Sequence, residues 1–208
     1  MPSLPRVDAP DPEALADGIA DALRDHGACR LPAFPDATLT HALRTDLQRL
    51  RADEALVPAA TGRGAGRDVA TGLRGDATLW LDDPRAGEAA AAYHAALDAL
   101  RIALNRRLFL GMADVEAHYA AYPPGTRYVR HRDRFRDSDA RVVSVVTYLN
   151  PGWPAADGGA LRIAMPGGDL DVVPDVGSVC FLSELEHEVL PATRDRLSIA
   201  AWMRRRTG

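Results

Sequence analysis

The hydrophobic pattern of this 208-residue sequence changes near residue 111, and that change constrains the fold more than any other feature. Before it, apolar residues recur at helical spacing. After it, short segments rich in Val, Ile, Leu and Tyr are separated by Gly, Pro or Asp, which is typical of strands. Helices followed by strands favour an α+β architecture, and about eight short strands predict a jelly-roll sandwich. The predicted strands lie near 115–122, 128–132, 141–149, 160–164, 170–174, 178–182, 187–191 and 197–203.

Three helices are predicted in the first half of the chain. Asp11 and Asp36 are suited to cap the first two, and Gly27 is suited to end the first. The third is expected to start at Asp83 and Pro84 and to end near residue 111. We expect these helices to pack on one sheet of the jelly roll.

One segment between the helices has a different composition. Residues 58–68 contain three glycines, two arginines and little that could be buried, so the region near 58–72 is predicted to be a mobile loop. A lid over the site and a plain linker both agree with this composition. The length and the 47% apolar content allow one substantial core. We therefore expect a single domain over 1–208, with mainly helical support in 1–111 and a jelly-roll core in 112–208.

Charge and cysteine content limit the partners and the compartment. A formal net charge of -4 and a pI near 5.8 argue against a broad basic surface for nucleic acid or for anionic membranes. No apolar run approaches the length of a spanning helix, so we expect a soluble, cytoplasmic protein of undefined oligomeric state. Cys29 and Cys180 lie in apolar contexts and are interpreted as buried, reduced thiols.

Two histidines and one aspartate form the candidate metal site. Residues two positions apart on a strand share a face, so His131 and Asp133 can converge on one ion while Arg132 points away. His187 lies on a remote predicted strand that a jelly roll can bring to the same cavity. Two imidazoles and one carboxylate leave coordination positions open, as suits non-haem Fe(II) oxygen chemistry. Arg196, nine residues after His187, would supply a fixed cation for a carboxylate cosubstrate.

Each neighbouring residue also has an ordinary structural explanation. Tyr122, Tyr148 and Trp202 could be half-buried strand aromatics, and Arg196 could pair with a surface carboxylate. His118 lies on a predicted strand without a carboxylate at the matching position, and we interpret it as structural. Only the joint occurrence of these residues favours a functional site.

Further motifs accompany the candidate metal ligands. They are Leu73-Arg74-Gly75-Asp76 with Trp80, Tyr122-Pro123, Gly125-Thr126, Tyr128-Val129-Arg130-His131 with Asp133, Tyr148-Leu149-Asn150, Trp153, Gly158-Gly159 with Leu161-Arg162-Ile163, His187-Glu188-Val189 with Pro191, and Arg196 with Trp202. Together these motifs resemble the 2-oxoglutarate and Fe(II)-dependent oxygenase superfamily, and most closely the oxygen-sensing prolyl 4-hydroxylases. Departures are a short turn between Tyr122 and Tyr128 and the presence of Thr147 where the family often has an aromatic residue.

The resemblance implies a fold and a set of cofactors. The fold would be a double-stranded β-helix, a jelly roll of the cupin type. Fe(II) would be held by His131, Asp133 and His187, with 2-oxoglutarate as cosubstrate and O2 as oxidant. Ascorbate would be an additional reductant in such a site.

The resemblance also implies how the cosubstrate is held. Arg196 would bind the far carboxylate of 2-oxoglutarate with a planar guanidinium that suits paired hydrogen bonds, and Tyr148 would be a second donor. Tyr122 and Trp202 would line the same pocket.

The implied activity is hydroxylation of a C–H bond, with formation of succinate and CO2. The resemblance favours a prolyl residue in a protein or peptide as the substrate. A free amino acid or small metabolite is the second hypothesis. A noncatalytic cupin-like protein that binds metal or ligand is a third, because fold alone does not decide function.

Overall fold

The computed structural model describes residues 3–59, 72–134 and 140–206. The helices are α1 (Pro12–His26), α2 (Ala37–Ala52) and α3 (Glu88–Leu108). The strands are β1 (Ala28–Leu31), β2 (Val57–Pro58), β3 (Ala77–Trp80), β4 (Met112–Tyr122), β5 (Tyr128–His131), β6 (Arg141–Tyr148), β7 (Leu161–Met165), β8 (Gly168–Val172), β9 (Gly177–Leu182), β10 (His187–Val189) and β11 (Arg196–Arg205). The loop predicted near 58–72 lies largely outside the described residues.

The strands form two antiparallel sheets. The larger sheet has the order β1-β9-β6-β11-β4-β3-β2, and the smaller one has the order β5-β10-β7-β8. Each of the eight predicted strands is present, and the predicted double-stranded β-helix is confirmed.

Side chains alternate across the larger sheet and separate two apolar cores. On β11, one set of side chains packs with the helices in the first core, namely Leu197, Ile199, Ala201 and Met203. The opposite set lines a cavity shared with the smaller sheet, namely Arg196, Ser198, Ala200 and Trp202. Helices therefore cover one face of the larger sheet, and its other face supplies the walls of the candidate site.

The caps predicted for the first two helices are present. The Asp11 carboxylate accepts a hydrogen bond from the Ala14 amide at 2.8 Å, and Asp36 does the same for Leu39 at 2.8 Å. Gly27 ends α1 with a φ of 76°, a left-handed conformation that favours glycine. Within the three described ranges, no helix has both the length and the apolar character needed to cross a membrane.

The predicted start of α3 was wrong. The helix begins at Glu88 and not at Asp83, because Asp83 is committed to a turn. Its carboxylate accepts hydrogen bonds from the amide and the guanidinium of Arg85 at 2.9 Å and 2.8 Å. The Gly87 amide then donates to the Asp46 carboxylate of α2 at 3.0 Å, which fixes the point where the helix starts.

The larger sheet is wider than the sequence predicted. Strands β2 and β3 were not predicted, and they extend the sheet beyond β4, where Ala77 pairs with Ala121. At the other edge, β1 pairs with β9, which places Cys29 opposite Cys180. Both cysteines are buried and free, as predicted.

Candidate active site

The three predicted metal ligands converge in a cavity lined by both sheets. His131 ends β5, Asp133 follows two residues later, and His187 begins β10 directly opposite His131. The Nε2 atoms of His131 and His187 lie 3.6 Å and 3.5 Å from the Asp133 carboxylate oxygens. All three candidate ligand atoms lie within 4.8 Å of one another, which suits donors arranged around one divalent ion. Arg132 points away and contacts Glu186 at 3.3 Å.

Both imidazoles present the same nitrogen to the cavity. The Nδ1 of His131 lies 2.7 Å from the Val129 carbonyl oxygen, and the Nδ1 of His187 lies 3.0 Å from that of Leu185. A carbonyl only accepts, so each Nδ1 donates and each Nε2 keeps a free lone pair. Burial lowers the pKa of His187, which favours the neutral, metal-binding form.

The carboxylate of Asp133 is buried and held by a serine pair. Ser144 Oγ donates to Asp133 Oδ2 at 2.7 Å, and the Ser183 hydroxyl lies 2.8 Å from Ser144. Burial alone would raise the pKa of Asp133, but at the low pH where this carboxyl would titrate the two histidines are protonated, and their charge with that of Arg141 holds its pKa well below the usual range. An ionised carboxylate is therefore available as the anionic donor of the three.

We expect Ser144→Ala to weaken metal binding by about tenfold, because partners that orient a metal ligand typically contribute that much to affinity. The measurement is a titration with Fe(II) or Mn(II) under anaerobic conditions. Thr45→Ala, which removes an exposed hydroxyl on α2, is the control and should leave the affinity unchanged. Equal affinities for wild type and Ser144→Ala would show that the serine does not orient Asp133.

Arg196 is almost completely buried, with an exposed fraction of 1%, so the surface ion pair considered for it is absent. Its Nε donates to the Gly159 carbonyl at 2.9 Å, and its Nη1 donates to Ser198 Oγ at 3.1 Å. Nη2 is buried and has no hydrogen-bond acceptor within the described ranges. The guanidinium lies 5.3 Å from the ring centroid of Tyr148, whose hydroxyl is likewise buried and unpaired in the described part of the chain.

Two buried donors without acceptors are costly unless a ligand satisfies them. Burial raises the pKa of Tyr148, so its hydroxyl keeps the proton that it would donate. A carboxylate placed between Arg196 Nη2 and Tyr148 Oη would accept from both. The residues present thus fit the far carboxylate of 2-oxoglutarate.

Two glycines allow the backbone to approach this pocket closely. A Cβ atom on Gly158 would lie 2.6 Å from the Pro191 carbonyl oxygen, and one on Gly159 would lie 3.0 Å from Ala192 Cβ. Both residues have positive φ, 69° and 72°. The paired glycines are therefore required so that the Gly159 carbonyl can accept from the buried guanidinium.

The two remaining predicted site residues lie at different ends of the cavity. Tyr122 is 5% exposed, and its ring centroid lies 5.1 Å from the Arg196 guanidinium. Trp202 contacts His118 at 5.3 Å between centroids and lies under the Arg141 guanidinium at 3.7 Å. Trp202 is six positions after Arg196, which corresponds to roughly 20 Å along β11. Tyr122 therefore lies beside the carboxylate pocket, whereas Trp202 lies at the far end.

An ion pair next to the metal site had no predicted role. Arg74 and Asp76 form a bidentate pair at 2.7 Å and 2.9 Å, and the Asp76 side chain is fully buried. The Arg74 guanidinium lies 4.9 Å from the ring centroid of Tyr128, which stacks on His131 at 3.7 Å. Arg74 thus supports a metal ligand through one aromatic ring. The motif around Gly75 was visible in the sequence, but the stacking depends on tertiary structure.

His118 has a structural environment. It is 3% exposed, contacts Trp80 and Trp202 at 5.2 Å and 5.3 Å between centroids, and lies outside the cluster of candidate ligands. Its Nδ1 lies 3.0 Å from the Tyr119 carbonyl oxygen, which leaves Nε2 as the acceptor for Arg74 at 3.1 Å. Burial and the Arg74 charge lower the pKa of His118 to about 4.

This lowered pKa predicts a pH dependence of folding stability. As the pH falls, the unfolded state takes up a proton at His118 near pH 6.5, whereas the folded state does so only near pH 4. The contribution of neutral, buried His118 to folding stability is therefore fully present above pH 6.5 and is lost progressively as the pH falls from 6.5 to 4. We expect His118→Gln to show a shallower decrease in Tm over that range, with the exposed His26→Gln as control. Parallel Tm curves for His118→Gln and wild type would contradict the prediction.

Comparison with known proteins agrees with this geometry. A family model described as the 2OG-Fe(II) oxygenase superfamily matches residues 117–204, which include all three candidate ligands and Arg196. Human Egl nine homolog 1 is 33% identical over 146 residues, 65% of this chain and 34% of that protein. The chain spans between a third and three-fifths of the length of the first curated relatives that it matches.

Two solved structures cover almost the whole chain. A prolyl-4-hydroxylase from Pseudomonas putida is 45% identical with a TM-score of 0.82, and the match covers 92% of this chain and 100% of that one. A prolyl hydroxylase from Trichoplax adhaerens, solved in complex with a hypoxia inducible factor peptide fragment, is 26% identical with a TM-score of 0.82. That match covers 93% of this chain and 90% of that one. Sequence, fold and ligand geometry agree, and the chain belongs to the 2OG-Fe(II) oxygenase superfamily.

Proposed function

We propose that this protein is a 2-oxoglutarate-dependent Fe(II) dioxygenase that hydroxylates a prolyl residue in a protein or peptide. The observation that carries the proposal is the presence of two complementary sites in one cavity. His131, Asp133 and His187 offer three metal ligands, and Arg196 lines the same cavity with a buried Nη2 that has no acceptor among the described residues. The Tyr148 ring centroid lies 5.3 Å from that guanidinium, and its buried hydroxyl is a second donor without an acceptor in the described ranges. A site that only bound metal would not need a buried guanidinium nitrogen without an acceptor.

The roles of the residues follow from this arrangement. When bound, Fe(II) and 2-oxoglutarate activate O2 for hydroxylation of a C–H bond, with release of succinate and CO2. His131 and His187 bind the metal through Nε2, and Asp133 binds it as a carboxylate oriented by a serine hydroxyl. Arg196 and Tyr148 would hold the far carboxylate of the cosubstrate and so fix its direction in the cavity.

A peptidyl substrate is favoured over a free amino acid by the relatives. The Trichoplax adhaerens enzyme binds a peptide fragment, and the Pseudomonas putida protein is described as a prolyl-4-hydroxylase. Both match this chain across nine-tenths of its length or more. A free amino acid or small metabolite is the second candidate, and the noncatalytic cupin-like protein is disfavoured by the carboxylate pocket.

The activity can be tested by aerobic incubation of Fe(II)-loaded protein with 2-oxoglutarate and host-cell proteins. Tandem mass spectrometry then locates any gain of one oxygen atom, which we expect on proline. Parallel reactions with free amino acids and synthetic peptides measure succinate formation for each substrate class. Asp133→Ala serves as the inactive control.

Prolyl oxygenation that requires 2-oxoglutarate and is absent with Asp133→Ala would support the proposal. Hydroxylation of free amino acids alone would establish the second candidate. Metal binding without 2-oxoglutarate binding would favour the noncatalytic protein.

Three components of the proposal rest on the sequence only. Ascorbate would maintain the metal in the ferrous state, as the resemblance implies. A cytoplasmic location is proposed because two cysteines without a disulfide framework are typical of a reducing compartment. Residues 1–208 would act as one domain, in which 1–111 supports the catalytic core in 112–208.

A further inference from the structure

A second arginine lies against the tyrosine of the carboxylate pocket. Arg30 is on β1, where alternation places it on the same face as Ala28, toward the core between the two sheets. Its guanidinium lies 5.1 Å from the Tyr148 ring centroid, and that of Arg196 lies 5.3 Å from the same centroid. The Tyr148 ring therefore lies within cation–π distance of both guanidinium groups.

Arg30 forms no direct ion pair in the described part of the chain, although the charge of the Asp175 carboxylate acts on it. Its Nη2 donates to the carbonyl oxygens of Asp175 and Val176 at 2.7 Å and 3.0 Å, and its Nη1 is buried without an acceptor there. The carboxylate of Asp175 is committed elsewhere, because Oδ1 accepts from the amides of Gly152 and Val176 at 3.0 Å and 2.9 Å. Burial lowers the pKa of Arg30, and the opposing effects of Tyr148 and Asp175 do not offset it.

A buried charge of this kind is costly unless something anionic compensates it. The neighbouring arginine does not compensate it. The backbones of Arg6 and Arg30 form an isolated parallel β-bridge. Arg6 therefore adds a second positive charge on the adjacent segment. The nearest anion that the proposed function supplies is the far carboxylate of 2-oxoglutarate, bound by Arg196 and Tyr148.

We propose that Arg30 is a positioning residue for the cosubstrate, whose charge acts across Tyr148 to favour a ligand with a second carboxylate. The inference rests on the proposed function, because it requires that carboxylate to lie at Arg196. Arg30 makes no direct contact with the ligand. It orients the Tyr148 ring and adds positive potential beside that ring, where burial strengthens the effect of charge.

A purely structural role for Arg30 predicts a different outcome. In that case its hydrogen bonds to residues 175 and 176 hold a turn, and any good donor would replace it. Charge and hydrogen bonding can be separated by two variants. Arg30→Gln keeps a donor and loses the charge, whereas Arg30→Lys keeps the charge and loses the paired donors.

The test compares two ligands by anaerobic calorimetric titration of the Mn(II)-loaded protein. One is 2-oxoglutarate, and the other is 2-oxopentanoate, which has the same number of carbons and no second carboxylate. The preference is the ratio of the affinity for 2-oxoglutarate to the affinity for 2-oxopentanoate. We expect Arg30→Gln to reduce this ratio by about three- to tenfold and to leave the affinity for 2-oxopentanoate unchanged. Arg30→Lys should retain the preference within about twofold. Arg6→Gln, which removes the adjacent exposed arginine, is the matched control and should match wild type.

An unchanged preference in Arg30→Gln would overturn the inference, and so would an equal loss of affinity for both ligands. If Arg30→Gln melts below the assay temperature, Arg30→Met replaces it as the neutral variant, because its flexible side chain fills a similar space. Arg196→Met separates this inference from the proposed function. If that variant keeps the full preference for 2-oxoglutarate, the proposed carboxylate pocket itself is wrong.

Discussion

Asp133→Ala is expected to lose Fe(II) binding and to reduce hydroxylation by roughly a thousandfold or more, because metal catalysis supplies several kcal/mol of barrier reduction. Asp133 is the one carboxylate among the three clustered ligands in the described residues, and its side chain is 7% exposed. Without it, His131 and His187 would share an ion with no anionic donor. Metal content after equilibration with Fe(II), and succinate formed per minute, are the two measurements.

Asp171→Ala is the matched control for this substitution. It removes a carboxylate from β8 that pairs with Arg162 at 2.7 Å on the protein surface. Both variants should be checked for a cooperative melting transition before activity is compared. Wild-type metal content in Asp133→Ala would contradict the proposed ligand set, even if the activity were lost.

Arg196→Met should weaken 2-oxoglutarate binding by about a hundredfold, because loss of one partner from a buried, hydrogen-bonded charge pair costs several kcal/mol. Metal affinity should stay close to wild type, since Arg196 lies outside the ligand cluster. The ligand-free variant should also keep its Tm, because the substitution removes a buried cation that has no counter-ion among the described residues. Anaerobic titration with 2-oxoglutarate measures the first effect, and thermal melting measures the last.

Arg194→Met provides the matched control two residues away. Its guanidinium lies 4.6 Å from the Trp153 ring centroid, and its side chain is 49% exposed. This variant should bind 2-oxoglutarate as wild type does. Equal affinity in Arg194→Met and Arg196→Met would mean that the carboxylate binds elsewhere.

Local sequence signals predicted those elements whose causes are themselves local. Asp11 and Asp36 cap helices through their own backbone neighbours, and Gly27 ends a helix through its own φ. The alternating apolar segments after residue 111 predicted the strands, because a half-buried strand needs that period. The spacing of His131 and Asp133 likewise predicted a shared face.

Features that depend on tertiary partners were not predictable in this way. The start of α3 depends on the Asp46 carboxylate of another helix, and β3 forms because β4 offers it a free edge. The register that puts His187 opposite His131 is a pairing between remote strands. Arg30 Nη1 is buried without an acceptor among the described residues, which becomes visible only in the tertiary structure.

The most direct test of the central claim is a crystal structure of the protein with Mn(II) and 2-oxoglutarate, grown without oxygen. We predict one metal ion bound by the Nε2 atoms of His131 and His187 and by Asp133. The far carboxylate of 2-oxoglutarate should accept hydrogen bonds from Arg196 Nη2 and Tyr148 Oη. A metal ion bound by other residues, or a cosubstrate that leaves Arg196 unpaired, would contradict this account.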